Sequence, residues 1–200
     1  MKKEKQIIAI FDFDGTLTTK DTFLEFIIYV YGRKKLYYGI LINSIWIILM
    51  KLNLYPNWKA KQRIFSWFFK DMPYNEFIKW GYLFIKRIDE IINFSSIEIL
   101  NKHLINNHTV YVISASIDEW VRPWCYKRGI KNIICTQVSI NKSKKLTGKF
   151  LTSNCNGQEK VNRFTKLEPK RDNYTLYAYG NSIGDKEILE FSDYSHLIKS

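Results

Sequence analysis

Short, continuous apolar runs alternate along the chain with stretches in which apolar residues recur every three or four positions. The short runs end at turn residues and predict buried strands at residues 6–13, 109–114, 132–139, 174–180 and 194–198. The periodic stretches predict helices at residues 95–106, 119–128, 159–167 and 185–191. Strands that alternate with helices indicate an α/β fold with a parallel sheet and helices on both faces.

One long segment interrupts this alternation. Between the first and second predicted strands lie aromatic-rich, mostly helical residues, from 21 to about 94. This segment is far longer than a single crossover helix. We therefore predict an α/β core domain at residues 1–18 and 95–200, with an inserted helical cap domain at residues 19–94 over the strand ends.

Within the predicted cap, residues 36–50 contain no charged residue and are apolar on nearly every face. A helix of this kind is either buried or associated with a membrane. The segment is shorter than the ~20 residues that span a bilayer, Asn43 and Ser44 interrupt it, and Lys35 and Lys51 flank it. We favour a buried cap helix or helical hairpin, ahead of a membrane-docking element and of a true membrane span.

The net charge of +12, from 31 basic and 19 acidic residues, changes this picture by favouring anionic partners. Phosphorylated substrates, anionic membrane surfaces and nucleic acid all qualify, although general lysine richness explains the charge equally well. No nucleic-acid-binding signature accompanies the basic clusters, so we do not expect nucleic acid. Three cysteines without a C-x-x-C pair and an N-terminus unlike a signal peptide lead us to expect a cytoplasmic protein.

Polar residues with reactive chemistry follow the first two predicted strands. Asp12 and Asp14 end the first strand and precede Gly15. Ligands of open α/β sheets bind beyond the carboxyl ends of the strands, so one aspartate could attack phosphorus while the other handles a proton. The second strand ends in Ser114 and Ala115, where a hydroxyl and backbone N–H groups could bind a phosphoryl oxygen.

Two further motifs lie downstream. Lys160 stands near a predicted helix start, where the helix dipole disfavours a cation unless the side chain faces solvent or meets an anion. The fourth strand ends in a glycine-rich turn, residues 180–185, in which Asp185 can help hold a hard cation through oxygen. Each signal alone has an ordinary explanation as a helix cap or a solvated side chain, whereas four in order are a stronger indication.

In this order the four motifs resemble those of the haloacid dehalogenase superfamily, over nearly the whole chain. The stretches 112–116, 146–148 and 157–160 are typical of its subfamily IB, which contains phosphoserine phosphatase. The helical insert matches the C1-type cap of that subfamily. The resemblance implies a Rossmann-like, doubly wound parallel sheet with an inserted helical cap.

The resemblance also implies a role for each motif in a Mg²⁺-dependent phosphatase. Asp12 would be the nucleophile that forms an aspartyl-phosphate, and Asp14 would be the general acid and base. The residues that would contact the substrate phosphate are Ser114, Ala115, Lys160, Gly15 and Thr16. The residues that would hold Mg²⁺ are Asp12, Asp14 (through its backbone carbonyl), Asn181 and Asp185. Asn181 stands where the family usually has Asp, so we expect weaker metal binding but retained activity.

The core motifs leave the choice of substrate to the cap. A small polar monoester such as phosphoserine would recruit Asp21, Glu25 and Arg63. A lipid phosphate is slightly favoured, because the apolar insert and the basic run 33–35 resemble bacterial phosphatidylglycerophosphate phosphatases of the C type. Such a protein would contact the inner face of an anionic membrane. A phosphotransferase, a dehalogenase without Mg²⁺, and a basic membrane- or nucleic-acid-binding module with a relic hydrolase core remain alternatives.

Overall fold

A parallel sheet forms the centre of the computed structural model, which describes residues 5–198. The strands are β1 (Gln6–Phe11), β2 (Thr109–Ile117), β3 (Asn132–Thr136), β4 (Val138–Ile140), β5 (Leu146–Phe150), β6 (Tyr174–Gly180) and β7 (Tyr194–Leu197). Five of them form the sheet in the order β3-β2-β1-β6-β7, and every neighbouring pair is parallel. Residues 1–4 and 199–200, which the predicted core domain includes, lie outside the described residues.

Helices cover this sheet and fill the long connection between β1 and β2. They are α1 (Thr22–Tyr31), α2 (Arg33–Ile42), α3 (Ser44–Lys51), α4 (Asn57–Phe69), α5 (Tyr74–Asp89), α6 (Phe94–Ile105), α7 (Asp118–Lys127), α8 (Gln158–Leu167) and α9 (Lys186–Phe191). The four helices predicted outside the insert lie within one residue of their predicted bounds. The predicted α/β fold with a helical insertion is therefore confirmed, while the domain boundaries stay predictions.

The position of β1 explains its unbroken apolar run. It lies between β2 and β6, so both of its faces are covered, as is usual in parallel sheets. Ala9 and Phe11 contribute to one apolar core, and Ile8 and Ile10 to another on the opposite face. All four side chains are buried, which leaves the acids after Phe11 at the end of a rigid central strand.

Three strand predictions were wrong in their bounds. Strand β1 ends two residues earlier than predicted, and β2 continues three residues further. The predicted strand 132–139 divides at Gln137, whose backbone N–H and carbonyl bond to Thr152 and Leu151 instead of to β2. The chain beyond it forms β4, which pairs antiparallel with β5 in a small separate sheet. Residues 146–150 gave no strand prediction because the run is short and contains Gly148 and Lys149.

Aromatic side chains hold the inserted helices over the strand ends. The Phe26 ring of α1 stacks on Trp120 of α7 with centroids 4.4 Å apart. Phe84 of α5 meets the same Phe26 ring at 5.2 Å, and Phe69 of α4 meets it at 5.5 Å. Full burial of one such ring contributes about 1.5–3 kcal/mol, so this shared core fixes three cap helices against α7.

In the apolar segment 36–50, six residues are exposed, six are half-buried, and only Leu36, Gly39 and Asn43 are buried. The segment folds as α2 and α3, joined at Asn43. The favoured prediction of a buried cap helix or helical hairpin was therefore wrong about burial. One side of α2 meets α4, where Gly39 lies so close to Phe68 that a Cβ on it would stand 2.5 Å from that ring. Among residues 5–198, no helix combines the length and apolar character that crossing a bilayer requires.

Candidate active site

The carboxyl ends of β1, β2 and β6 border one cavity of about 390 Å³. The side chains and backbone that line it are those of Asp12, Asp14, Gly15, Thr19, Lys20, Asp21, Asn57, Lys61, Ser114, Ala115, Asn154, Asn156, Lys160, Asn181, Ser182 and Asp185. Parallel strands place their carboxyl ends at one edge of the sheet, so motifs that are far apart in the sequence meet here. All four sequence motifs contribute to this cavity.

Lys160 joins two of these motifs through buried ion pairs. Its Nζ lies 2.6 Å from Oδ1 of Asp12 and 2.5 Å from Oδ1 of Asp185. The side chain is only 2% exposed because Lys160 lies in the first turn of α8, which points into the cavity. Of the two explanations that the sequence left open for Lys160, the structure selects the contact with anions.

Burial and pairing act against each other on these three charges. Burial and the nearby Asp185 raise the pKa of Asp12, although the charge of Lys160 opposes the rise. Burial would also raise the pKa of Asp185, but the charge and hydrogen bond of Lys160 outweigh it, so that pKa lies below its usual range. Burial disfavours the Lys160 ammonium, but its two carboxylate partners raise its pKa and keep it charged.

The Asp14 carboxylate is held by the start of the inserted segment. Its Oδ1 accepts hydrogen bonds from the backbone N–H of Thr22 at 2.9 Å and from the Thr22 hydroxyl at 2.5 Å. The Thr22 oxygen in turn lies 2.7 Å from the Ser116 hydroxyl and accepts from Nε1 of Trp120 at 3.1 Å. Asp14 is thus positioned by a network that links β1, β2, α1 and α7.

Asp14 differs from Asp12 in its electrostatic surroundings. Burial and the negative charge of Asp21 raise the pKa of Asp14 to about 7, although Lys61 and the Thr22 hydrogen bonds favour the charged form. A carboxyl group with a pKa near neutrality can both donate and accept a proton at physiological pH. Asp12, in direct contact with Lys160, does not share this environment.

A sharp turn after β1 brings the first motif against the fourth. Gly15 has a φ of +77°, and a Cβ on it would lie 2.1 Å from Nδ2 of Asn181, so glycine is required here. Thr16 is buried and donates a long hydrogen bond of 3.4 Å to Oδ1 of Asn181. Thr16 does not line the cavity, because the turn directs it behind Asn181, so its predicted contact with the substrate phosphate stays a prediction.

Asp185 also organises the loop that follows β6. Its Oδ2 accepts from the backbone N–H groups of Asn181 and Ser182 and from the Ser182 hydroxyl, at 2.8–3.1 Å. Its Oδ1 accepts from Lys160. Asp185 therefore stabilises the loop that carries Asn181 as well as the charge of Lys160.

The oxygen donors of the cavity fit a Mg²⁺ ion in part. Within residues 5–198, no cluster of three or more His, Cys, Asp or Glu is arranged to hold a metal. Mg²⁺, however, needs only one or two carboxylates and takes its other ligands from water and substrate phosphate. Asp12 and Asp185 supply two carboxylates, and Asn181 adds an amide oxygen at the same edge. This set of hard oxygen donors suits Mg²⁺ better than a softer metal.

Of the three cap residues predicted to contact substrate, only Asp21 lines the cavity. Glu25 is occupied by Arg87 at 2.8 Å and Lys20 at 3.3 Å. Arg63 stacks on Trp46, 3.8 Å from the ring centroid, and donates to the Tyr55 hydroxyl. The structure does not bring Glu25 or Arg63 to the lining of the cavity, because partners within the cap engage both side chains, and their substrate contacts stay predictions.

The sequence did not indicate several residues that the cavity includes. Lys61 of α4 donates to the carbonyl of Ala115 at 3.0 Å, which places a cation beside the second motif. Asn57, four residues earlier, lies on the same side of α4 and also lines the cavity. The i, i+4 spacing of the polar residues Asn57 and Lys61 in a largely apolar insert was the sequence feature that could have indicated them. Asn154 and Asn156 also line the cavity and lie just before the stretch 157–160.

Residues 9–190 match the family model of haloacid dehalogenase-like hydrolases, and the chain belongs to this family. A protein of unknown function from Bordetella pertussis Tohama I superposes with a TM-score of 0.79 at 16% identity, over 94% of this chain and 87% of that one. A phosphoserine phosphatase, solved as a phospho-aspartyl intermediate analogue, superposes with a TM-score of 0.65 at 19% identity, over 96% of this chain and 86% of that one.

A phosphoserine phosphohydrolase-like protein from Francisella tularensis subsp. tularensis SCHU S4 superposes with a TM-score of 0.65 at 15% identity, over 96% of this chain and 95% of that one. The comparison with curated proteins gave no match. At these identities the superpositions establish the fold, and they agree with the resemblance seen in the motifs.

Proposed function

We propose that the protein is a Mg²⁺-dependent phosphomonoesterase that acts through an aspartyl-phosphate. The observation that carries this proposal is the different environment of two neighbouring aspartates. Asp12 is paired with the buried Lys160, whereas Asp14 has a pKa of about 7. A carboxylate paired with a cation, beside a second carboxyl group whose pKa lies near neutrality, is the pattern of a nucleophile and an acid–base catalyst. Phosphoserine phosphatases, which share the fold, are among the structural neighbours.

In the first half of the reaction, an Asp12 carboxylate oxygen attacks phosphorus. The bond from phosphorus to the leaving oxygen breaks, and Asp14 donates its proton to that oxygen. In the second half, water attacks the phosphorus of the aspartyl-phosphate and Asp14 takes its proton. The bond from phosphorus to Asp12 then breaks and inorganic phosphate leaves.

The remaining motif residues hold the phosphoryl group during both halves. Ser114 and Lys160 offer a hydroxyl and an ammonium to its oxygens, and backbone N–H groups near Gly15 and Ala115 assist. Mg²⁺ held by Asp12, the Asp14 carbonyl, Asn181 and Asp185 would neutralise phosphoryl charge. The roles of these residues rest on their convergence at one cavity and on the family's motifs.

The cap side of the cavity suggests two classes of leaving group. Asp21 and Lys61 present opposite charges, which suits an amino acid such as the serine of phosphoserine. The exposed apolar helices α2 and α3 favour a lipid phosphate, because a soluble substrate gives them no role. We favour the lipid slightly.

Purified protein assayed with phosphoserine, sugar phosphates and phosphatidylglycerophosphate, with and without Mg²⁺, tests the proposal. We expect Mg²⁺-dependent phosphate release that falls about 10³-fold or more in Asp12→Asn, because the nucleophile is lost. Asp172→Asn, which changes an exposed aspartate outside the cavity, is the matched control and should retain full activity. Equal rates in Asp12→Asn and the wild type would contradict the catalytic proposal and favour a binding module with a relic core.

A further inference from the structure

The charged side chains of helices α2 to α4 are all positive. Residues 26–70 contain none of the 19 acidic residues of the chain. The basic residues of the same stretch are Arg33, Lys34, Lys35, Lys51, Lys59, Lys61, Arg63 and Lys70. All of them except Lys61, which faces the catalytic cavity, are exposed. This part of the surface therefore attracts anions and repels cations.

Large apolar side chains are exposed among these cations. The side chains that recur at spacings of three and four residues are Tyr38 (59% exposed), Leu41 (67%), Ile45 (55%), Ile48 (53%) and Leu52 (61%). Tyr38 and Leu41 share one side of α2, and Ile45 and Ile48 share one side of α3, while Leu52 follows α3. We call the exposed side chains of residues 37–54 the α2–α3 surface. Single exposed leucines are normal on a protein surface, whereas this many exposed large apolar side chains within residues 37–54 indicate an interaction site.

The opposite side of α2 already has its packing partners. Leu36 is buried, and Gly39 lies against Phe68 and Trp67 of α4. Apart from the Tyr38 ring, which meets Trp67 edge-on at 5.9 Å, the exposed apolar side chains of the α2–α3 surface lie outside both apolar cores. The fold explains the apolar residues on the inner side of these helices, whereas those on the outer side need a partner outside the molecule.

The α2–α3 surface is continuous with the mouth of the catalytic cavity. Asn57, at the start of α4, lines that cavity. Asn57 also lines an adjoining depression formed by the end of α3 and the loop after it, with Met50, Leu54 and Tyr55. A partner that covers the α2–α3 surface would thus reach the rim of the cavity.

We propose that the α2–α3 surface docks on an anionic lipid bilayer and that the cavity takes its phosphomonoester from that bilayer. The second part rests on the proposed function. Aliphatic side chains inserted between acyl chains, with lysines and arginines at the headgroups, are the chemistry of interfacial helices. A second copy of this chain fits poorly, because two cationic surfaces repel. Nucleic acid would use the cations but would leave the aliphatic side chains exposed to water.

Co-sedimentation with vesicles tests the docking independently of catalysis. The full-length Asp12→Asn variant is mixed at moderate salt with vesicles of phosphatidylcholine alone or of phosphatidylcholine with phosphatidylglycerol. We expect binding to the anionic vesicles only. The combined variant Leu41→Ser, Ile45→Ser and Ile48→Ser should bind about tenfold more weakly or worse, because it removes the inserted side chains.

A matched variant controls for a general loss of surface hydrophobicity. Phe94→Ser, Ile105→Ser and Leu167→Ser remove three exposed apolar side chains outside the α2–α3 surface and should bind like the parent. Replacing Arg33, Lys34 and Lys35 by Gln should weaken binding by about fivefold per charge. Circular dichroism and thermal unfolding of each variant verify that it is folded.

Four outcomes would overturn the docking proposal. They are no sedimentation with anionic vesicles, undiminished binding of the Leu41, Ile45 and Ile48 variant, tighter binding to duplex DNA than to the anionic vesicles, and a dimer in light scattering that this variant abolishes. The catalytic assay is read separately, in the Asp12-containing protein. Vesicle binding without phosphate release would leave docking intact and reject the proposed function, and release without binding would do the reverse.

Discussion

The catalytic cavity and the α2–α3 surface depart from the usual distribution of side chains in opposite directions. At the cavity, the charged side chains of Asp12, Lys160 and Asp185 are buried. At the surface, aliphatic side chains such as Leu41 and Ile45 are more than half exposed. Most proteins bury apolar groups and expose charged ones, so each region indicates a demand other than stability.

The two regions differ in whether contacts within the protein offset the unusual burial or exposure. The buried charges compensate one another, since Lys160 bonds to both carboxylates and Asp185 also receives three further hydrogen bonds. The exposed aliphatic side chains Leu41, Ile45 and Ile48 belong to neither of the two apolar cores. Buried charges that bond to one another indicate a preorganised site. Exposed apolar side chains outside the core indicate a binding partner.

Removal of the central cation should have the largest effect on stability. Lys160→Met leaves Asp12 and Asp185 as buried carboxylates without their shared partner, which should lower the free energy of unfolding by about 3–5 kcal/mol. Urea unfolding at neutral pH measures the change. Lys166→Met, at the exposed end of α8, is the matched control and should stay within about 0.5 kcal/mol. Equal effects at the two positions would show that the buried ion pairs do not support this region.

The raised pKa of Asp14 predicts a pH-dependent stability. The unfolded chain has a pKa near 3.8 at this position and the folded protein about 7. The folded state therefore holds the proton more tightly, and this contribution is complete below pH 3.8 and lost as pH rises through 7. Relative to Asp14→Asn, the metal-free wild type should lose at most about 1.4 kcal/mol per pH unit in this window.

Urea unfolding of both proteins between pH 4 and pH 8, with a chelator present, measures this difference. If the difference in the free energy of unfolding between the two proteins stayed constant across that range, the pKa of Asp14 would not be raised by burial and Asp21. The same group should impose a decline in phosphatase activity above about pH 7 if it acts as the general acid.

The substitution Asn181→Asp tests how the cavity uses its amide oxygen. An added carboxylate beside Asp12 and Asp185 should strengthen binding of a divalent cation, so the Mg²⁺ concentration for half-maximal activity should fall about tenfold. Asn162→Asp, on the exposed part of α8, is the control and should leave this concentration unchanged. An unchanged requirement in Asn181→Asp would remove Asn181 from the proposed metal site.

The smallest effect on stability is expected at the α2–α3 surface. Leu41→Ser should change the free energy of unfolding by no more than about 0.5 kcal/mol, because Leu41 is 67% exposed. Leu36→Ser on the same helix should cost about 2–5 kcal/mol, because Leu36 is buried. Urea unfolding distinguishes the two, and a large loss in Leu41→Ser would mean that the surface has a structural partner within the chain.

The strand and helix pattern predicted the sheet because each parallel strand is a continuous apolar run. It missed β5, where only five residues pair with a three-residue partner. The cap contacts were harder to predict. Glu25 and Arg63 have the charge expected of substrate ligands, but Arg87 and Trp46 engage them elsewhere. Lys61 contacts Ala115, 54 residues away, and Thr22 contacts Asp14 across the turn that begins the insert, so no helix or strand pattern identified them.

The sequence by itself determined the family's four motifs and the alternation that carries them to one edge of a sheet. Strand ends are local properties, and the alternation of strands with helices predicts parallel strands, so the convergence of Asp12, Ser114, Lys160 and Asp185 followed from the linear pattern. Only the tertiary structure decided which partner each side chain meets and which apolar face stays exposed. Partners and exposure depend on contacts between secondary-structure elements. Lys160 is buried between two carboxylates, while Leu41, Ile45 and Ile48 are exposed.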